Sequence, residues 1–385
     1  MAAPQIPNLN TLRRGRGRGR GGSQRTEEGP GRTSGKDRVI QGTDNDASVS
    51  RLSAVRLGYL DDPYAEALTP AENAVRRFPI INRGTYVRTT AIDELVTRFL
   101  GPYTPQSVPK RKQIISLGAG SDTRVFRLLA SRQPPDVIYH EIDFAVNTTA
   151  KIKAIRSTPL LQRAVGITPS NDEVSLSETG DALHSPCYHI HPLDLRSLSA
   201  TEDPSKIMPG FKTELPTLLV SECCLVYLSP TEAEQVLSWF TKALGKGADV
   251  TGTANIETPI TPLGLILYEP IRPDDPFGRT MVANLATRGI KLQTLQKYHS
   301  LGAQRTRLKE QGFISTQAAA DIEFIWEHWV NEQEKERVAD IERLDEMEEW
   351  QLLARHYCIA WGWRNGIDPT AFSGWSTLPS QSSEQ

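Results

Sequence analysis

The chain has 385 residues, a formal net charge of −2 and 38% hydrophobic residues. That is enough for one large domain or two modest ones with a real core, and the balanced charge gives no global reason to expect nucleic-acid binding. The four cysteines form no C-x-x-C pair, and no apolar run is long enough for a membrane span or a signal peptide, so zinc-finger, membrane and secreted classes fall away and a reduced, cytoplasmic protein is expected.

Residues 1–50 contain no aromatic residue and include Arg13-Arg14-Gly15-Arg16-Gly17-Arg18-Gly19-Arg20-Gly21-Gly22. Such a segment buries too little apolar surface to offset its chain entropy, which predicts a disordered Arg/Gly-rich tail. Without aromatic residues to stack on bases, it reads as a solvated tail and not an RNA-binding arm. Residues 51–101 read as a helical lid, with a turn at Asp62-Pro63 and a last helix that stops at Gly101-Pro102. Strands and helices then alternate. The predicted strands are 113–118, 137–142, 188–192, 217–222 and 248–256; the predicted helices are 122–131, 145–156, 231–244, 278–288 and 294–311. Two more short strands are expected near 313–320 and 355–362, around a charged helix at 332–353. Residues 157–186 read as a surface insertion, and 366–385 as a flexible C-terminal tail. The alternation predicts an α/β, doubly wound, mostly parallel sheet within a domain spanning 51–365.

The apolar run Gln113-Ile114-Ile115-Ser116-Leu117 feeds Gly118-Ala119-Gly120, and a helical pattern opens directly afterwards. In such a turn the glycines let a ligand approach the backbone and the helix start offers free N–H groups. Twenty-three residues past Gly120, Asp143 ends a second apolar run, where an acid can accept both hydroxyls of a ribose. A dinucleotide turn would carry a third glycine where this chain has Thr123, and no P-loop pattern occurs. Gly-Ala-Gly-Ser-Asp-Thr-Arg fits a methyltransferase better, because S-adenosylmethionine has a ribose and an adenine but no phosphate. Gly118, Asp143, Asp194 and Glu222 all fall at or just beyond predicted strand ends, the edge where open α/β sheets bind ligands.

Several stretches carry a more specific likeness: Gly58-Tyr59-Leu60-Asp61-Asp62-Pro63-Tyr64, Asn82-Arg83-Gly84 with Arg88, Asp194-Leu195, Leu219-Val220-Ser221-Glu222-Cys223, Asp275-Pro276-Phe277-Gly278 and Arg355-His356-Tyr357-Cys358. With these the chain resembles the leucine carboxyl methyltransferases, as a fungal-type member, over residues 50 to 363. The resemblance implies a seven-stranded class I methyltransferase sheet with added N-terminal helices. It implies S-adenosyl-L-methionine as cofactor and, as acceptor, the C-terminal leucine carboxylate of a type 2A protein phosphatase catalytic subunit, whose holoenzyme assembly the modification regulates. It also implies cofactor contacts at Arg88, Gly118, Asp143, Asp194, Leu195 and Glu222, with Arg51 matched by spacing alone. The glycine-rich arm and the insertion depart from the family pattern.

A carboxylate acceptor is already ionised at neutral pH and needs no general base. Orientation and exclusion of water are then the useful devices. His140, His189, His191 and His356 are therefore expected to pack, not to catalyse, and no residue is assigned as catalytic. Arg88 suits the cofactor's carboxylate, and Tyr227 is a possible contact to the substrate. A monomer without nucleic acid is expected. A tRNA-modifying or small-molecule O-methyltransferase of the same superfamily is the alternative; the first would continue into repeats that this chain lacks, and the Arg355-His356-Tyr357-Cys358 piece speaks against the second.

Overall fold

The computed structural model describes residues 35–101, 111–167, 173–201, 203–245, 260–345 and 347–382. Its centre is one sheet built from β1 (Lys112–Leu117), β2 (Val137–Asp143), β3 (Ser175–Leu176), β4 (Leu183–His184), β5 (Tyr188–Pro192), β6 (Thr217–Glu222), β7 (Leu263–Pro270), β8 (Thr316–Asp321) and β9 (Tyr357–Arg364). The order is β3-β4-β5-β2-β1-β6-β7-β9-β8. The five strands β5, β2, β1, β6 and β7 run parallel, and β9 lies antiparallel between β7 and β8. The fold is thus the expected α/β, doubly wound, mostly parallel sheet. Seven strands make its body, and the hairpin β3–β4 within the insertion adds an edge.

Alternation along the central strands sorts side chains to two cores, as in any sheet covered on both faces. Ile114, Tyr139, Leu218, Val220 and Ile266 pack with the long helix Pro79–Leu100. Ile115, Ile142, Leu219, Leu265 and Leu267 pack with the helix Pro230–Ala243. The latter starts on a capping box, in which Ser229 accepts the Glu232 N–H and the Glu232 side chain accepts the Ser229 N–H. From β1 the chain winds one way to β2 and β5, then returns to the other side of β1 with β6 and β7. That reversal opens a crevice between the carboxyl ends of β1 and β6.

Several expectations change. Of the predicted disordered tail, residues 1–34 lie outside the described residues, but Gly35–Gln41 and Thr43–Arg56 are helices. The Arg/Gly tract dominates the composition of the first fifty residues and masks this stretch. Its helix is barely amphipathic and is held by burial of Ser48, Val49 and Leu52 and by polar bonds, which composition does not reveal. The tail expected to be flexible also packs: Phe372 stacks on Phe99 with ring centroids 4.8 Å apart, and Trp375 Nε1 donates to Leu95 O at 2.8 Å. The predicted strand 248–256 lies within 246–259, outside the described residues, and the strand beside β6 is β7, every residue of which is buried. The charged helix 332–353 is two helices, Glu332–Ile341 and Met347–Arg355, and the helix expected at 294–311 starts only at Leu301 with Ser300 as its cap.

Two of the sequence pieces that carried the family likeness meet in space. Asp275 caps the helix Pro276–Thr287 through Gly278 N at 2.7 Å, and the same Oδ1 bonds His356 Nε2 at 2.9 Å. His356 Nδ1 bonds Leu352 O at 2.6 Å. This histidine ties two segments together, as a packing role requires.

Candidate active site

The turn after β1 holds Gly118 at φ +65° and Gly120 at φ +46°, the left-handed region that glycine alone enters freely. Gly118 is doubly constrained, since a Cβ there would stand 2.6 Å from Cys224 Sγ. Its N–H donates to Ile142 O at 2.8 Å, fastening the turn to β2. At the end of β2, Asp143 accepts from Gly120 N at 2.8 Å through Oδ2, and from Phe144 N at 2.7 Å and Asn147 Nδ2 at 2.9 Å through Oδ1. A carboxylate oxygen accepts two hydrogen bonds, so Oδ2 keeps capacity for a hydroxyl. Burial pushes the Asp143 carboxyl up, and these donors moderate the shift.

Beside the turn lies a buried ionic network of Arg51, Arg88, Arg124 and Arg127 with Asp62, Asp93, Asp122 and Glu222. Arg124 is its hub: it is 1% exposed and reaches Asp93 Oδ1 at 2.8 Å, Asp122 Oδ2 at 2.6 Å and Glu222 Oε1 at 2.9 Å. The other oxygen of Glu222 takes Arg88 Nε at 2.8 Å. Arg88 also lies over the Tyr268 ring at 4.8 Å, and Tyr268 stacks on Tyr357. Burial alone would raise the Glu222 pKa, but Arg124 and Arg88 outweigh it and hold the carboxyl below its ordinary range. Asp122 behaves the same way through Arg124 and Arg51. Removing one member of such a network strands its partner's charge, at a cost of about 3–5 kcal/mol.

Arg51, Arg88, Asp122 and Glu222 of this network border one cavity of about 470 Å³, lined among others by all eight residues named from sequence: Arg51, Arg88, Gly118, Asp143, Asp194, Leu195, Glu222 and Tyr227. Their arrangement refines the expected roles. Glu222 is engaged by two arginines, so it orients Arg88. Arg51 faces Asp62 at 3.3 Å and Asp122 at 3.9 Å. Asp194 starts a 3-10 turn by accepting Arg196 N at 2.9 Å, and the Arg196 guanidinium clasps both its carboxylate oxygens and reaches Asp37 at 3.2 Å. Leu195 is buried beneath. Burial pushes the Tyr227 hydroxyl up.

Sequence reasoning missed the arm and Arg124. Asp44 and Asp46 lie in the first turn of the helix Thr43–Arg56, and that acidic start was the legible signal for a helix there. Among the described residues no histidine lines the cavity. Cys223, strained at φ +49°, and Cys224 do, but burial pushes the Cys223 thiol up to about 12 and that of Cys224 well above its ordinary value. Neither thiol is poised as a nucleophile. Among the described residues no cluster of three or more His, Cys, Asp or Glu could hold a metal, and no helix is long and apolar enough to cross a membrane. The site therefore fits a nucleoside cofactor: a glycine turn at the cavity wall, an acid with a spare acceptor lone pair, and a half-buried arginine facing the cavity.

Comparison with known proteins agrees with that chemistry. Residues 40–241 match the family model described as leucine carboxyl methyltransferase. The chain is 62% identical over its whole length to leucine carboxyl methyltransferase 1 of Emericella nidulans, whose whole length is also covered. It is 58% identical, again over the full length of both, to leucine carboxyl methyltransferase 1 of Aspergillus fumigatus. Among solved structures, geranyl diphosphate methyltransferase with GPP and sinefungin aligns over 86% of this chain and 99% of that one, at 13% identity and a TM-score of 0.42.

Proposed function

Because the chain belongs to the leucine carboxyl methyltransferase family, and is an S-adenosylmethionine-dependent methyltransferase, we propose that its acceptor is the α-carboxylate of the C-terminal leucine of a type 2A protein phosphatase catalytic subunit. The modification would regulate assembly of the phosphatase holoenzyme. The observation that carries the reading is the chemistry of the cavity wall: among the described residues it has a fixed arginine, acids that are each engaged by an arginine or an N–H group, neutral thiols, and no histidine. A hydroxyl or amine acceptor would have to lose a proton; a carboxylate already has the lone pair it needs.

The cofactor supplies an electrophilic methyl group on a sulfonium. A carboxylate acceptor has no proton to lose, so the residues of this chain would need only to orient it and strip its water. Gly118, whose missing Cβ makes way for Cys224, would shape the turn that the cofactor lies against, and Asp143 Oδ2 would accept a ribose hydroxyl. Arg88, braced through Nε by Glu222, would hold a carboxylate with its outer nitrogens. Ile322, Trp350 and Leu353 line the wall on the β8–β9 side and offer an apolar surface suited to a leucine side chain. A closed pocket that strips water from a well-solvated carboxylate accounts for much of the rate.

The test is tritiated methyl transfer to three acceptors: the phosphatase catalytic subunit ending in leucine, the same chain without that leucine, and the same chain with an amidated terminus. Only the first should be labelled, and mild base should release the label as from an ester. Equal labelling of all three, or a base-stable product, would refute the acceptor assignment.

A further inference from the structure

A glycine turn between a strand and a helix is by default an anion cradle, because consecutive N–H groups point outward without partners. In this chain two of those groups are already spent. Gly120 N donates to Asp143 Oδ2 at 2.8 Å, and the next N–H, of Ser121, donates to Asp44 Oδ1 at 2.7 Å. The Ser121 hydroxyl donates to the same Asp44 oxygen at 2.7 Å. The two carboxylates come from different elements, Asp143 from the end of β2 and Asp44 from the helix Thr43–Arg56. A Cβ on Gly120 would collide with Asp44 Oδ1, so glycine at this position is needed for the Asp44 contact as well as for its positive φ. Asp44 is held in place from its own helix: Asp46 pairs with Arg77 at 3.3 Å and with Arg288, and Arg51 enters the ionic network.

We propose that Asp44 is a cofactor-specificity residue: its carboxylate occupies the place where the phosphate of a nucleotide would sit, so the pocket rejects phosphorylated nucleotides. The inference rests on S-adenosylmethionine as cofactor and adds the reason the same turn does not take a nucleotide. A phosphate approaching the turn finds no free N–H at Gly120 or Ser121. It also meets two carboxylates of its own sign in a half-buried site, where repulsion is weakly screened. S-adenosylmethionine carries no phosphate, its one carboxylate suits Arg88, and its positive charge is attracted by the same pair. The missing third glycine at Thr123 then has a counterpart in space, because the arm fills the cradle that a dinucleotide would use.

The experiment compares adenosine with ADP as ligands of the full chain and of Asp44→Asn and Asp44→Ala, by ligand-observed NMR and by displacement of labelled S-adenosylhomocysteine. The quotient of the two affinities isolates the phosphates, and it cancels any general loosening of the arm, which would weaken both ligands alike. The wild-type protein should prefer adenosine at least tenfold, and both variants should reduce that preference at least tenfold. Direct NMR titration keeps the quotient measurable even where a variant holds S-adenosylhomocysteine poorly. An unchanged quotient in the two variants overturns the role of Asp44. Failure of the wild-type chain to bind S-adenosylhomocysteine would overturn instead the cofactor on which the inference rests.

Discussion

Replacing His191 with glutamine should flatten the acid side of the protein's stability profile. His140, His184, His189 and His191 form a row across β2, β4 and β5, with His140 opposite His189 and His184 opposite His189 in register. Their protonation follows from the bonds. Gln113 Nε2 donates to Lys212 O and Thr217 Oγ1, both at 3.1 Å, so Gln113 Oε1 is the atom that accepts from His140 Nε2 at 3.2 Å. Neutral His140 therefore accepts at Nδ1, and His191 Nε2 donates to it at 3.0 Å. Burial, with the neighbouring imidazoles, pushes His140 well below its ordinary value and His191 to about 3. Burial, with His184, Arg111 and Lys212, brings His189 to about 4. The sign follows from linkage. The unfolded chain takes up protons below about pH 6.5 and the folded row does not, so stability is full above that pH and is lost as pH falls toward the folded values. Between pH 7.5 and 5.5 each buried histidine costs about 1.3 kcal/mol, and His140, His189 and His191 together about 4 kcal/mol, a large part of a typical 5–15 kcal/mol. Glu141, raised to about 7 by burial against the pull of Lys151, acts in the opposite sense over this window and offsets part of the loss. The comparison is therefore between the wild-type chain and His191→Gln, in urea unfolding at both pH values, where the Glu141 contribution cancels. The gap between the two proteins should shift by about 1.3 kcal/mol in favour of the variant on acidification. Parallel profiles would refute the neutral, proton-excluding row, whatever the variant's stability at pH 7.5.

Asp143→Ala should weaken S-adenosylhomocysteine binding by about 1.5–3 kcal/mol in calorimetry, as for hydrogen bonds to a charged group; unchanged affinity in a folded variant would sink the ribose assignment. Arg88→Lys should slow methyl transfer at least tenfold with an unchanged circular dichroism spectrum, because lysine loses the fork and the Nε bond to Glu222. Near-normal rates for Arg88→Ala would rule that role out. Deleting residues 1–50 should lower both the melting temperature and the affinity for S-adenosylhomocysteine, since it removes Asp44 and the buried Val49; equal values for the two chains would show that the arm's helix is dispensable. Trp375→Ala should cost about 3–5 kcal/mol in denaturant unfolding, as for a buried aromatic residue cut to alanine, and a loss below 1 kcal/mol would restore the flexible tail.

Sequence alone determined the parts of this protein that depend on neighbours along the chain. The strands β1, β2 and β6 were legible because each is a short, largely apolar run bounded by a turn, and β5 because Tyr188-His189-Ile190-His191-Pro192 is a short stretch rich in β-formers that ends at a proline. The glycine turn was legible because positive φ restricts the residue type locally. Asp143, Asp194 and Glu222 could be placed at one edge because a parallel sheet aligns its strand ends. Tertiary structure decided what depends on residues far apart. Arg124 looks like any helix arginine until Asp93 and Glu222 close around it, and Glu222 gains a role as the brace of Arg88 once their distance is known. Trp375 sits in a polar stretch whose composition suggests a loose tail, and its burial exists only because Phe99 and Leu95 are there to receive it. The arm is the clearest case. Its helix has almost no apolar face, and most of what fixes Asp44 on the turn is a set of hydrogen bonds and ion pairs to residues 77, 121 and 288, which no window of local sequence contains.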